Sequence, residues 1–201
     1  MSTAELRIGQ VISGDLQYTT LRGDKRGQLV TVGGGGQYQE AAYRGSVFTA
    51  AAAVTTSVTT TTTFTGLAVC NPNKSAVNLA IISAGAGLTS AAAAVNTLGL
   101  MGGWSATDQP QTTPGVITRL LIDQNFKNPG TATCVLGCTL NVTPLLLMDW
   151  ASWSTTTTTG SSTTFANING QIVVAPGGFV ALYTTSAAVL VGHITFAEIP
   201  L

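Results

Sequence analysis

From Ser46 onward the chain is a series of short apolar runs separated by turn signals at spacings near ten residues. VNLAIIS (77–83) alternates Val77, Leu79 and Ile81, while GVITRLLI (115–122) and ATCVLGCTLNV (132–142) are rich in β-branched and small residues. QIVVAPGGFVALYTT (171–185) is two such runs around Pro176, Gly177 and Gly178, and AAVLVGHITFAEIPL (187–201) sets Ile194 and Phe196 against Thr195 and Ala197. A period of two marks a strand with one buried face. Many short strands so spaced predict an all-β fold, an antiparallel β-sandwich or barrel. SAAAAVNTLGLMGG (90–103) has a capping serine, four alanines and a closing glycine pair, which fits one short helix or a small-residue strand.

Two threonine tracts test whether such stretches are linkers or fold. VTTSVTTTTTFTGLAV (54–69) lacks Pro and charge. Threonine is stiff at χ1 and favoured in strands, so the tract predicts one or two strands with a hydroxyl-lined outer face. TTTTTGSSTTF (155–165) predicts a hairpin around Gly160, Ser161 and Ser162. Hydroxyl faces are soluble without charge and pack closely against another subunit.

Residues 1–45 differ in composition. They are polar and turn-rich, with LRGDKRG (21–27) and the run Gly33 to Gly36, and they predict an extended N-terminal arm ahead of a sandwich domain over 46–201. Fully extended, such an arm reaches over ~100 Å.

Composition then narrows the function. Of 201 residues only 8% are charged, against roughly 25% in an average soluble protein. Nine of the sixteen charges, Glu5, Arg7, Asp15, Arg22, Asp24, Lys25, Arg26, Glu40 and Arg44, fall in the first 44 positions. A domain that avoids charge this strongly either spans a membrane or packs against neighbours, where unpaired charges are costly to bury. The membrane reading has little support: LAIISAGAGLTSAAAAV (79–95) is broken by Ser83, Gly85, Gly87, Thr89 and Ser90 into two short pieces suited to buried strands, and MSTAELRIGQ lacks the features of a secretory signal. The formal net charge is zero, so nothing draws the chain to nucleic acid or an anionic membrane.

Candidate chemistry is sparse. Cys70, Cys134 and Cys138 read as buried reduced thiols, with no second Cys/His pair to complete a metal site beside the Cys134-x3-Cys138 spacing. The glycine run is followed by Gln37 and Tyr38, not by the Lys-Ser/Thr of a phosphate loop. His193, Cys70 and Asp149 are the only materials for a nucleophilic device, and Asp108, Asp123, Asp149 and Glu198 sit in no recognisable acid pair. The expectation is a non-enzymatic protein without catalytic residues, cofactor or metal. Arg22-Gly23-Asp24 is an ordinary turn pair preceded by arginine, and Trp104, Trp150 and Trp153 read as core or interface anchors, with a sugar-stacking platform as the alternative.

GQYQEAAYRGSVFTA (36–50), FTGLAVCNPNKSAVNLAII (64–82) and the ending FAEIPL (196–201) together resemble small virion proteins of tailed bacteriophages. The resemblance implies a jelly-roll-like sandwich, usually trimeric, that acts as a capsid cement or decoration protein in the virion, with the major capsid protein or other virion proteins as partners. Its alternative is a head fibre, collar or tail-associated module that binds host glycan. On the cement reading the arm docks the subunit, and Arg22, Lys25, Arg26, Tyr38, Tyr43 and Arg44 are the candidate docking residues, with complementary charge setting register.

Overall fold

The computed structural model describes residues 22–23, 29–30, 38–56, 62–89, 94–123, 130–153 and 163–201. The chain divides into two compact units, residues 1–37 and 38–201. In the first, strands β1 (Arg22–Gly23) and β2 (Leu29–Val30) pair antiparallel, with Arg22 opposite Val30. The second begins with a single-turn helix, α1 (Gln39–Tyr43), and continues as an all-β sandwich. This unit starts eight residues before Ser46 because α1 is tied to the sandwich: the Ser46 amide and hydroxyl both donate to the Ala41 carbonyl, and the Glu198 amide donates to the Ser46 carbonyl.

Eight strands form the ribbon of the sandwich in chain order: β3 (Val47–Thr56), β4 (Thr63–Cys70), β5 (Val77–Leu88), β6 (Asn96–Trp104), β10 (Leu145–Trp153), β11 (Thr163–Val174), β12 (Gly178–Thr184) and β13 (Ala188–Pro200). The strands β7 (Thr113–Pro114), β8 (Ile117–Arg119) and β9 (Thr133–Thr139) arise between β6 and β10 and extend the sheet edges. One sheet has the order β11-β5-β13-β3-β8 and the other β10-β6-β12-β4-β9-β7. Among the eight ribbon strands the first pairs with the last, β3 with β13, and then β4 with β12, β5 with β11 and β6 with β10, all antiparallel. A ribbon folded on itself in this way and wrapped into two sheets is the jelly roll, and the strand order establishes it here.

Alternation decides what lies between the sheets. Leu67 and Val69 of β4, Val180 and Leu182 of β12, and Leu190, Ile194 and Phe196 of β13 join one core with Leu79, Ile81, Leu98, Leu100 and Trp153. Phe48 and Phe196 stack within it, ring centroids 5.7 Å apart. The intervening positions Ala68, Cys70, Phe179 and Ala181 turn the other way and build a second core with Phe64, Met101, Val135, Cys138 and Leu140. The outer face of the six-stranded sheet is therefore buried as well over β4, β6, β9 and β12, beneath the chain after β9, where Val142 also packs.

Of the two readings of 90–103, the structure shows the strand for Asn96–Trp104, since its alternate residues fill both cores and its backbone pairs with β10 and β12. Residues 77–88 form one unbroken strand through Ser83, Gly85 and Gly87 instead of two pieces. The expected hairpin over 155–165 lies mostly outside the described residues; the flanking strands β10 and β11 belong to different sheets and pair with β6 and β5, not with each other. No helix among the described residues is long and apolar enough to cross a membrane.

The register places the last residues of β3, β5, β10 and β12 and the first residues of β4, β6, β11 and β13 at one end of the sandwich. At the opposite end asparagines knit the turns together. Buried Asn71 donates through Nδ2 to the Val77 and Val174 carbonyls, its amide donates to Gly178 O, and its carbonyl accepts from Gly177 N. Gly177 is held at φ +84°, and a Cβ there would run into the Ser105 carbonyl oxygen. We predict that Asn71→Ala, which removes the side-chain donor to the Val174 carbonyl and leaves the Val77 carbonyl with Ser75 Oγ, lowers unfolding free energy by about 1–3 kcal/mol in a denaturant titration. A loss below about 0.5 kcal/mol would show that this end does not depend on the side chain.

A candidate interaction surface

The outer face of the five-stranded sheet is built from the positions that alternation turns away from the core. Its register gives three rows running across the strands. The first joins Asn167, Ser83, Thr195, Thr49 and Thr118. The second joins Phe165, Gly85, His193 and Ala51, and the third Thr163, Gly87, Val191 and Ala53. No position in these rows carries a carboxylate, ammonium or guanidinium. The solvated face of an antiparallel sheet ordinarily carries polar and charged residues, so a face of Ala, Val, Gly, Thr and Phe is unusual for one left in water.

Gly85 explains the relief of this surface. A Cβ at that position would lie 2.6 Å from His193 Cε1 and 2.9 Å from the Thr164 carbonyl oxygen. The glycine lets Phe165 and His193 approach from the strands on either side and stack, with ring centroids 6.0 Å apart and planes 26° from parallel. Phe165 is nevertheless 60% exposed, and Val191, Ala51 and Ala53 are exposed beside it. Thr195 Oγ1 donates to Thr49 Oγ1 at 3.3 Å within the first row.

A second apolar surface lies on β10, an edge strand that, among the described residues, pairs with β6 alone. Leu145, Leu146 and Leu147 are all exposed there. Register shifts near Leu147 and Trp150 interrupt the ladder, and bulges of this type twist an edge away from strand addition.

The candidate docking residues fall partly outside the described residues. Arg22 lies in β1, and Lys25 and Arg26 lie outside the described residues. Tyr38 is half-buried, with its hydroxyl 3.0 Å from where a Gly170 Cβ would sit, and burial raises its pKa above the ordinary phenol value. Tyr43 and Arg44 are exposed, and the Arg44 carbonyl accepts from Arg119 Nη2 at 3.3 Å.

His193, Cys70 and Asp149 stand on the outer five-stranded face, in the second core and on the β10 edge respectively, and do not converge. Cys134 points into the core between the sheets, while Cys70 and Cys138 lie on the other side of their sheet. Burial pushes the Cys70 thiol well above the ordinary range, that of Cys134 to about 11, and that of Cys138 upward, so all three remain protonated and unreactive at neutral pH. Glu198 accepts from the Thr131 and Ala132 amides at 2.6 and 3.1 Å, and Asp123 pairs with Arg119 at 3.7 Å.

The tryptophans do not form a platform. Trp153 is buried, Trp150 half-buried, and exposed Trp104 donates through Nε1 to the Pro176 carbonyl at 2.8 Å. The β6–β10 register puts Trp150 beside Leu98 and Gly99, five or six residues from Trp104, which is about 16 Å along a strand. What sequence reading missed was the row containing Phe165, Gly85 and His193. The alternation was visible, but the pairing of three distant strands was not.

No family model matches the chain, and no curated protein or solved structure gives a match.

Burial lowers the pKa of His193 below the ordinary imidazole value, and Gly85, Ala51 and Phe165, which face it from β5, β3 and β11, carry no titratable group. The unfolded chain therefore takes up the proton more readily, and stability falls as pH drops through about 6.5 towards the lower folded pKa. We predict a lower thermal midpoint at acid than at neutral pH, with the difference reduced in His193→Gln. An identical pH dependence in both proteins would remove His193 as a contributor.

Proposed function

We infer that this chain is a non-enzymatic virion structural protein, a cement or decoration subunit that binds the surface of a phage head and stabilises the capsid. The observation that carries this reading is the neutral outer face of the five-stranded sheet. A surface of small residues, hydroxyls and one aromatic pair suits repeated protein contact: it permits close approach and buries no unpaired charge. The jelly roll adds a weaker argument, since this architecture recurs in virion shells but also in lectins and other domains.

On this reading the partners are the major capsid protein and further copies of the chain, and the trimer implied by the sequence resemblance is the expected oligomer. Several weak contacts made at once would give firm attachment through avidity. Arg22, Lys25 and Arg26 would contribute complementary charge, and the exposed Tyr43 and Arg44 would lie at the edge of the docking surface. The glycan-binding alternative loses the convergence of tryptophans on which it rested.

The test is composition and rebinding. The protein is expected in purified particles whose genome encodes it, at a fixed ratio to the major shell protein by quantitative mass spectrometry. Heads stripped of it should rebind the purified chain and withstand higher temperature. The triple substitution Arg22→Ala, Lys25→Ala and Arg26→Ala should weaken rebinding about tenfold, the scale of three exposed ion pairs. Absence from particles together with no rebinding would overturn the assignment, and unchanged rebinding by the triple variant would remove those residues from the docking surface.

A further inference from the structure

We propose that Asn169 is a self-modifying site: its side chain closes onto the backbone nitrogen of Gly170 and reopens as aspartate or isoaspartate, which puts a carboxylate on the neutral edge of the five-stranded sheet. This goes beyond the proposed structural role and does not depend on it.

The first argument is where the turn stands. Strand β11 is an edge strand, and its register against β5 jumps from Asn167 opposite Ser83 to Ile172 opposite Ile81. Residues 168–171 therefore face Ile82 alone and leave the ladder as a tight excursion. Asn169 at φ +53° and Gly170 at φ +78° both hold left-handed backbone, as the two central residues of a type I′ turn do. Among the described residues Asn169 is the one non-glycine with positive φ, a conformation held at a cost in energy that local opening relieves. Asn169 is exposed, while Ile168 before it is buried and Ile172 after it packs on the core.

The second argument is chemistry. Asn169 alone among the asparagines of the chain precedes a glycine. The deprotonated Gly170 amide nitrogen attacks Asn169 Cγ, the bond from Cγ to the side-chain nitrogen breaks, and that nitrogen takes up a proton and leaves as ammonia. Water then opens the resulting succinimide ring at either of its two carbonyls, giving aspartate or isoaspartate. One water is consumed and one ammonia released, with no oxidant or cofactor. A side chain on the following residue crowds the attacking nitrogen, and glycine has none. Ring closure requires Asn169 to leave the left-handed region, and the excursion can do so without breaking a ladder bond to β5.

The third argument is the consequence. Neither β5 nor β11 contains a charged residue, so the product carboxylate is the first charge on this pair of strands. The Tyr38 hydroxyl lies 3.0 Å from where a Gly170 Cβ would sit. Isoaspartate adds a methylene to the backbone between buried Ile168 and this contact, so the turn must shift, whereas aspartate leaves the chain length unchanged.

The test is peptide mass spectrometry on the folded full chain, incubated in isotopically heavy water at neutral and at mildly alkaline pH, beside a sample held unfolded in guanidinium. In the folded chain Asn169 should take up heavy oxygen as aspartate and isoaspartate at least about tenfold faster than any other asparagine. The rate should rise with pH, as a deprotonated nitrogen requires, and a more acidic species should appear on ion exchange. Asn169→Gly, which keeps the left-handed backbone without strain, should fold by circular dichroism and lose that species. An Asn169 that stays intact in the folded chain while it converts in the unfolded one would overturn the proposal. So would conversion no faster than at the other asparagines, or an acidic species that persists in Asn169→Gly. None of these results touches recovery of the protein from particles, so the two proposals fail separately.

Discussion

The fold depends on β13 finding both of its neighbours. This last strand lies between β3 and β5 and pairs along most of its length with each, so the beginning and end of the sandwich meet in one sheet. Leu190, Ile194 and Phe196 enter the core from it while Val191 and His193 face outward, so a single strand contributes to the core and the candidate contact. Closing a loop this long costs entropy that is recovered only when both sheets form, which makes the sandwich cooperative and its folding dependent on non-local pairing.

The two sheets meet different surroundings. The six-stranded sheet is covered on its outer face by the chain's own residues, with Leu140 and Val142 packed on Phe64, Met101 and Phe179. The five-stranded sheet carries comparable small and apolar outer residues at Ala51, Ala53, Val191 and Phe165, but these remain exposed. One chain thus provides an internal example of what an apolar outer face requires: cover from another segment, with small residues where the approach is close. Gly103 shows the tolerance, because a Cβ there would come within 2.8 Å of Val142 Cγ2.

Avoiding charge links stability to function. Within the sandwich the described carboxylates at Asp108, Asp123 and Glu198 are engaged with backbone amides or Arg119 near loops and strand ends. The broad face of β13 and its neighbours stays neutral, solvated through Thr49, Thr195 and Asn167. Neutral hydroxyls lose less on desolvation than ions do, so such a face can move between water and a protein contact at modest cost. His193 is the exception, since protonation would put a cation among Ala51, Gly85 and Phe165.

The sequence by itself determined that the chain would be a sandwich. Alternation at Val77, Leu79 and Ile81, and at Ile194 and Phe196, is a local property that survives in any arrangement with one buried face, and Pro176-Gly177 marks its turn without outside help. Tertiary structure decided what alternation leaves open. Asn96–Trp104 became a strand because β10 and β12 pair with it, despite the alanines that precede it, and Gly85 sits in a continuous strand because two rings from β11 and β13 cover it. The docking residues read from composition were local charges and aromatics, whereas the neutral face joins residues 49–53, 83–87, 163–167 and 191–195. Nothing in any one segment encodes that meeting; it arises from pairing the first strand of the ribbon with the last, a long-range event whose register is fixed only when the core between the sheets is filled.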